Sequence, residues 1–185
     1  MAPKSVTTLV HQFGYSFDPI TAVATMKAGA RWEERRDQFV NSDGSEMTND
    51  EIIEMWHWKG RIASCRGTLL HWHAEMLFNG RVIEEPHSPE LQQVAAIVAR
   101  LAGMGLRPYR TELSMFSCKL LLAGQADALF ADESSGSVTI IDWKRTPSIK
   151  THTPYRTLKE PLHHLPDTNY WSYSLQLNIY RFILQ

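Results

Sequence analysis

The sequence predicts an α+β fold, a small mixed sheet flanked by helices and preceded by a mainly helical N-terminal part. Three observations predict it. Apolar stripes at helical spacing recur through the first 105 residues. Three short runs bounded by turn residues follow, and a final helical stripe closes the chain. The 185 residues, 43% apolar and 21% charged, suit one domain over 1–185 with a real core, and they exclude a fibre or a disordered chain. Within it, 1–105 is expected to be helical, and 106–185 to carry the strands and the closing helix.

Residues 1–17 read as an irregular lead-in with an aromatic patch of Phe13, Tyr15 and Phe17. Asp18-Pro19 starts a helix, with Asp as N-cap and Pro in the first helical position, expected to reach about Val40. Asn41 to Glu46 is a loop. Thr48 with Glu51 three residues on is a capping box, and it opens a helix running to Phe78 that Gly60 or Gly67 can break. Asn79-Gly80 ends that helix. Ser88-Pro89 opens the next, with Leu91, Val94, Ala95, Val98 and Leu101 as its stripe and Gly103 to Gly105 as its end. The strands are expected at Tyr109–Phe116, Leu120–Phe130 and Val138–Trp143, with a hairpin connection over 132–136. Four prolines make 146–168 a long loop, and Tyr170–Leu184 is the last helix.

Composition narrows the function. Nineteen basic and twenty acidic residues leave a net charge of −1, so any nucleic-acid binding must come from a local patch. Trp143 to Lys159 supplies one: Lys144, Arg145, Lys150, Arg156 and Lys159, with no acidic residue. Glu33 to Glu54, with eight acidic and two basic residues, is a poor surface for DNA. Cys65 and Cys118 alone supply neither a four-thiolate iron–sulfur cluster nor a disulfide framework. No apolar run reaches the ~20 residues of a membrane span, and the N-terminus has no secretory signal pattern. An intracellular protein, not secreted and free of membrane contact, is expected.

The chemistry gathers at the strand ends. Residues two apart on a strand face one side, so Asp142 and Lys144 project together. The hairpin brings Asp127 beside Asp142. Two converging carboxylates repel unless a cation sits between them. Oxygen ligands favour Mg²⁺ or Mn²⁺, and a neighbouring lysine can orient water and stabilise charge on a phosphate. That is equipment for phosphodiester hydrolysis.

The ordered set Gly67-x-x-x-His71, Glu112, Gly124-x-x-Asp127, Asp142-x-Lys144 and Gln176-x-x-x-Tyr180 resembles the RecB-like branch of the PD-(D/E)XK nuclease superfamily. The resemblance implies an α/β/α restriction-endonuclease-like core and a DNA exonuclease holding one or two Mg²⁺ or Mn²⁺ ions without an iron–sulfur cluster. It implies that His71, Asp127, Asp142 and the Trp143 carbonyl ligate metal and that Lys144 is the catalytic lysine. Gln176 and Tyr180, four apart on one helical face, would lie beside the site, Gln176 holding the lysine or a phosphate and Tyr180 touching DNA. Glu112 would stand near the metal or among the groups bonded to its ligands. Arg145, Lys150, Arg156 and Lys159 would contact the DNA backbone. Relatives of this type continue beyond the last helix, so a larger polypeptide or assembly is expected around the chain.

Other readings stay open. The chain can be a non-catalytic nucleic-acid-binding module on the same fold, or an RNA endonuclease of the cap-snatching type. His71 and His73 point about 200° apart on a helix, so only one can face the site. Glu75, one turn from His71, can orient its imidazole. His163-His164 reads as loop decoration, and Trp56 and Trp58 as packing residues.

Overall fold

Residues 4–13 are not the irregular lead-in expected from the sequence. In the computed structural model, which describes residues 2–81 and 88–185, Lys4–Ser5 form a short strand β1 and Val6–Phe13 a helix α1. Ser5 caps that helix by accepting the Thr8 N–H at 3.0 Å. Val6 and Val10, one turn apart, are buried on its inner side. Tertiary packing thus overrides the low helix propensity of Val-Thr-Thr.

The described chain divides into two compact units, Met1–Tyr15 with Gly67–Gln185, and Ser16–Arg66. In the smaller unit, the helix expected from Pro19 to Val40 stops early. Helix α2 spans Pro19–Ala28 and ends at Gly29, followed by a single turn α3 at Trp32–Arg35 and a 3-10 turn at Arg36–Gln38. Asp18 caps α2 as expected. Val23, Phe39 and Ile52 form this unit's core, with Trp32 stacked on Phe39 and Trp56 packed at its edge. Trp58 remains half exposed, with the Arg61 guanidinium over its ring.

Helix α4, Asn49–Phe78, is continuous for 30 residues and breaks at neither Gly60 nor Gly67. Its capping box forms as expected. Glu51 Oε2 accepts the Thr48 N–H at 2.7 Å, and Thr48 Oγ1 accepts the Glu51 N–H at 3.3 Å. Helix α5, Pro89–Gly103, is capped by Ser88.

The larger unit holds the sheet. Strand β2 is Leu106–Ser117, β3 is Leu122–Asp132 and β4 is Ser137–Ile141. Strand β4 ends before Asp142 and Trp143. Helix α6, Asn169–Leu184, closes the chain. β2 pairs antiparallel with β3 along nearly its whole length. β1 pairs parallel with Leu122 and Ala123, and β4 pairs antiparallel with Ala128 to Asp132. Since β2 occupies one edge of β3, β1 and β4 share the other. Between them Gly124 to Asp127 have no strand neighbour on that edge among the described residues, which leaves a notch.

Ile140 packs with α1 and α6, whereas Ile141 packs with α4 and α5. Adjacent strand residues face opposite ways, so one helix pair covers each face of the sheet. Val6, Val10, Met115, Ala126, Leu129 and Tyr180 fill the first layer. Leu70, Ala74, Val94 and Trp143 fill the second. The α+β class expected from the sequence is the observed one.

The β3–β4 turn has its own electrostatic anchor. The Asp132 carboxylate accepts from the Ser134 N–H at 2.9 Å, the Ser134 hydroxyl at 2.6 Å and the Ser135 hydroxyl at 2.7 Å. Gly136, at φ 68, donates its N–H to the Asp132 carbonyl, a conformation glycine adopts without steric cost. The serine bonds hold the Asp132 carboxyl down at about 2, against the usual 3.8. Its folded value is depressed, so the stabilisation is complete above about pH 3.8 and is lost as pH falls through about 2. Carboxyl NMR titration should give a midpoint near the lower value for Asp132 and a clearly higher one in Ser134→Ala/Ser135→Ala, which keeps only the backbone N–H bonds. An ordinary midpoint in the parent would refute the anchor.

Candidate metal centre

The notch in the β3 edge opens into a cavity of about 640 Å³ within the larger unit. Ser5, Val6 and Thr7 line it at the start of α1, Gly124, Gln125 and Asp127 from β3, and Asp142 and Lys144 from the segment leaving β4. His71, Glu112, Gln176 and Tyr180 complete the polar wall. Of the residues singled out in the sequence, the structure brings together His71, Glu112, Asp127, Asp142, Lys144, Gln176 and Tyr180.

Three of them converge most tightly. One ligand atom each from His71, Glu112 and Asp127 lies within 4.8 Å of the other two, a group that can hold a metal ion. His71 Nδ1 is 3.4 Å from Asp127 Oδ1. The other ring nitrogen, Nε2, is 3.0 Å from the Trp143 carbonyl oxygen. A carbonyl only accepts, so Nε2 carries a proton and donates it. In the neutral ring, Nδ1 then presents its lone pair to the Asp127 carboxylate. That facing is favourable only when a proton or a cation lies between them, and it is the arrangement in which metal-binding histidines are oriented by a second acceptor. The hydrogen bond to Asp127 pushes the His71 pKa up.

The remaining electrostatics agree with a site short of positive charge. Burial pushes the Glu112 carboxyl up, and the nearby Asp127 charge pushes it further, with Glu75 adding to the effect. Asp142 is raised by burial first and by Asp127 second, against the opposing pull of Lys144. A divalent cation among these oxygens relieves both effects.

The other residues expected at the site are tied to one another or to the triplet by hydrogen bonds. Asp142 is not a member of the converging triplet. Its Oδ2 takes the Lys144 ammonium at 2.5 Å and its Oδ1 accepts from Gln176 Nε2 at 3.1 Å. The Trp143 carbonyl, expected as a metal ligand, is occupied in orienting His71. The Trp143 N–H donates to Asp127 Oδ2 at 2.5 Å and thereby ties the end of β4 to β3. Gln176, expected to hold the lysine or a phosphate, donates to Asp142 and to the Tyr180 hydroxyl at 2.9 Å. Tyr180 is 2% exposed and cannot be the DNA contact expected of it. It is a packing residue whose ring closes one side of the notch.

That ring explains a glycine. A Cβ on Gly124 would lie 3.2 Å from Tyr180 Cδ1 and 3.3 Å from Cζ, and closer still to Cε1. Gly124→Ala is therefore expected to displace Tyr180, loosen Gln176 and cost about 1–3 kcal/mol by overpacking. Chemical denaturation measures this, and an unchanged midpoint would refute the explanation. Gly67 has no such role, since nothing stands within 4 Å of a Cβ built there.

Glu112 reaches the triplet in an unusual way. It sits inside β2 with φ 48, in the left-handed region that side-chain-bearing residues rarely occupy. Backbone strain of this kind costs about 1–3 kcal/mol and gathers at functional sites. Sequence alternation alone does not reveal it.

The expected basic patch is partly neutralised. Arg145 pairs with Glu90 at 3.1 Å and Arg156 with Asp167 at 2.9 Å. Among the described residues, Lys150 and Lys159 form no ion pair. Lys159 lies over the Tyr15 ring, 4.9 Å from its centroid. His73 is buried against Trp72, so His71 is the one that faces the cavity. His163 pairs with Glu160 in its loop. Cys65 and Cys118 are both free and exposed, and no helix among the described residues is long and apolar enough to cross a membrane. Ser5, Thr7, Ser114, Phe116 and Gln125, which the sequence reading passed over, also line the cavity. The Ser5 cap before Val6 and Val10 was the signal for the first two. No family model matches the chain, and no match is found among curated proteins or solved structures.

Proposed function

We propose that the chain is a metal-dependent nuclease that hydrolyses phosphodiester bonds in DNA, exonuclease-like in type. The observation that carries the reading is the convergence of His71, Glu112 and Asp127 on the cavity that also receives Lys144. Two carboxylates and an imidazole suit a hard divalent cation, Mg²⁺ or Mn²⁺. Bound there, such an ion would supply Lewis-acid stabilisation of the negative charge that builds on the phosphoryl group.

The chain's own residues do the rest. Asp142 fixes the Lys144 ammonium, and Gln176 fixes Asp142. Lys144 so held brings a preorganised positive charge to the phosphate and N–H groups that orient the attacking water. Water adds to phosphorus, the bond to the 3′ oxygen breaks, and the proton that water gives up ends on that oxygen, leaving a 5′-phosphate and a 3′-hydroxyl. Lys150 and Lys159 meet backbone phosphates outside the cavity. Arg145 and Arg156 join them by exchanging a carboxylate for a phosphate.

End-labelled single- and double-stranded DNA, linear and circular, with a matched RNA, should be incubated with Mg²⁺ or Mn²⁺. The reading expects cation-dependent shortening of linear DNA and survival of circles. DNA binding without product would replace the nuclease by a binding module, and cleavage confined to RNA would move the reading to the RNA endonuclease.

A further inference from the structure

The hairpin joining β2 to β3 carries an exposed apolar group beside the metal cavity. Phe116 is 70% exposed and lines that cavity together with Ser114 and Lys144. Its register partner is Ala123, followed by Gly124, so the surface beside the ring is low. Leu120 and Leu121 are also exposed, and Leu121 is in the left-handed region at φ 51. What sets Phe116 apart from other exposed apolar side chains is its place on the wall of the cavity, with Leu120 and Leu121 at the same hairpin.

We propose that Phe116 is a stacking platform for one unpaired nucleobase, so that the site takes its strand in single-stranded form. The inference rests on the proposed reading that the cavity accepts a nucleic acid, and it adds the strandedness. Charge favours a polyanion over an apolar protein segment. Leu113 to Ala126 contain no acidic residue. Lys119 is exposed at the hairpin tip, Lys144 stands in the cavity, and the Lys4 N–H is bonded to the Leu121 carbonyl, placing the Lys4 chain beside that tip. An aromatic face flanked by lysines is how single strands are held without regard to sequence. Inside a duplex each base face is covered by its neighbours, so a single strand, an overhang or a duplex end is needed to offer one to Phe116.

The test is binding measured by fluorescence anisotropy with a chelator present, so that no cleavage is needed. Phe116→Ala should weaken a single-stranded oligonucleotide by about tenfold or more and leave a closed circular duplex, which has no ends, unchanged. Phe116→Trp should restore the affinity. An abasic position scanned along the oligonucleotide should cost the parent protein a similar factor at one place and cost Phe116→Ala nothing further there. Since Phe116 is solvent-facing, the variants should unfold at the parent temperature. Equal single-strand affinity of parent and Phe116→Ala overturns the inference, as does an equal loss for single strand and duplex. Phe116-dependent binding by a protein that cuts nothing with Mg²⁺ or Mn²⁺ would sustain the platform and remove the nuclease. Cleavage with unaltered single-strand affinity in Phe116→Ala would do the reverse.

Discussion

Asp127→Asn is expected to reduce cation-dependent cleavage by about a thousandfold or more, since an ion's stabilisation of transition-state charge is worth several kcal/mol. Asp127 is the hinge of the site. One carboxylate oxygen faces His71 Nδ1 and the other accepts the Trp143 N–H that anchors the end of β4. Asparagine keeps an acceptor for Trp143, so the strand end should stay in place. It removes the charge on which His71 and Glu112 converge. Single-turnover rates with Mn²⁺, alongside thermal unfolding, separate the two roles. A variant that unfolds normally and cleaves within tenfold of the parent would contradict the assignment.

Lys144→Met should cost roughly a hundred- to a thousandfold in rate, the usual loss for one preorganised charge at a reacting centre. It should leave cation affinity within a few-fold, because Lys144 is not part of the converging triplet. The substitution leaves Asp142, whose side chain is 4% exposed, without its cation. Burial already raises that carboxyl, so it is expected to take up a proton, at a cost in stability. Lys144→Met/Asp142→Asn should recover the stability and not the rate. Equal recovery of both would make the pair structural only. Calorimetric cation titration and denaturation of the three proteins check this.

Much of this arrangement is legible in local sequence. The run Ile140-Ile141-Asp142-Trp143-Lys144 alternates between the two helical layers, and that alternation is enough to send Asp142 and Lys144 the same way and Trp143 the other. The 200° separation of His71 from His73 correctly allows only one of them at the cavity. What stays hidden depends on partners distant in the chain. β1 and α1 are marginal alone and exist because Val6 and Val10 find Met115, Ala126 and Tyr180. The place of Glu112 beside His71 and Asp127 goes with a left-handed backbone that residue type does not announce. The ion pairs that mute Arg145 and Arg156 come from Glu90 and Asp167, outside the basic run itself. Tyr180 is a DNA contact only by the resemblance, and it is buried because Gly124 leaves room for its ring.

A crystal of the protein soaked in Mn²⁺ and measured for anomalous scattering tests the central claim most directly. The account predicts a single strong peak bounded by His71 Nδ1, Glu112 and Asp127, absent from crystals of Asp127→Asn. Strong peaks elsewhere with none among these three side chains, at Mn²⁺ concentrations that support cleavage, would contradict it.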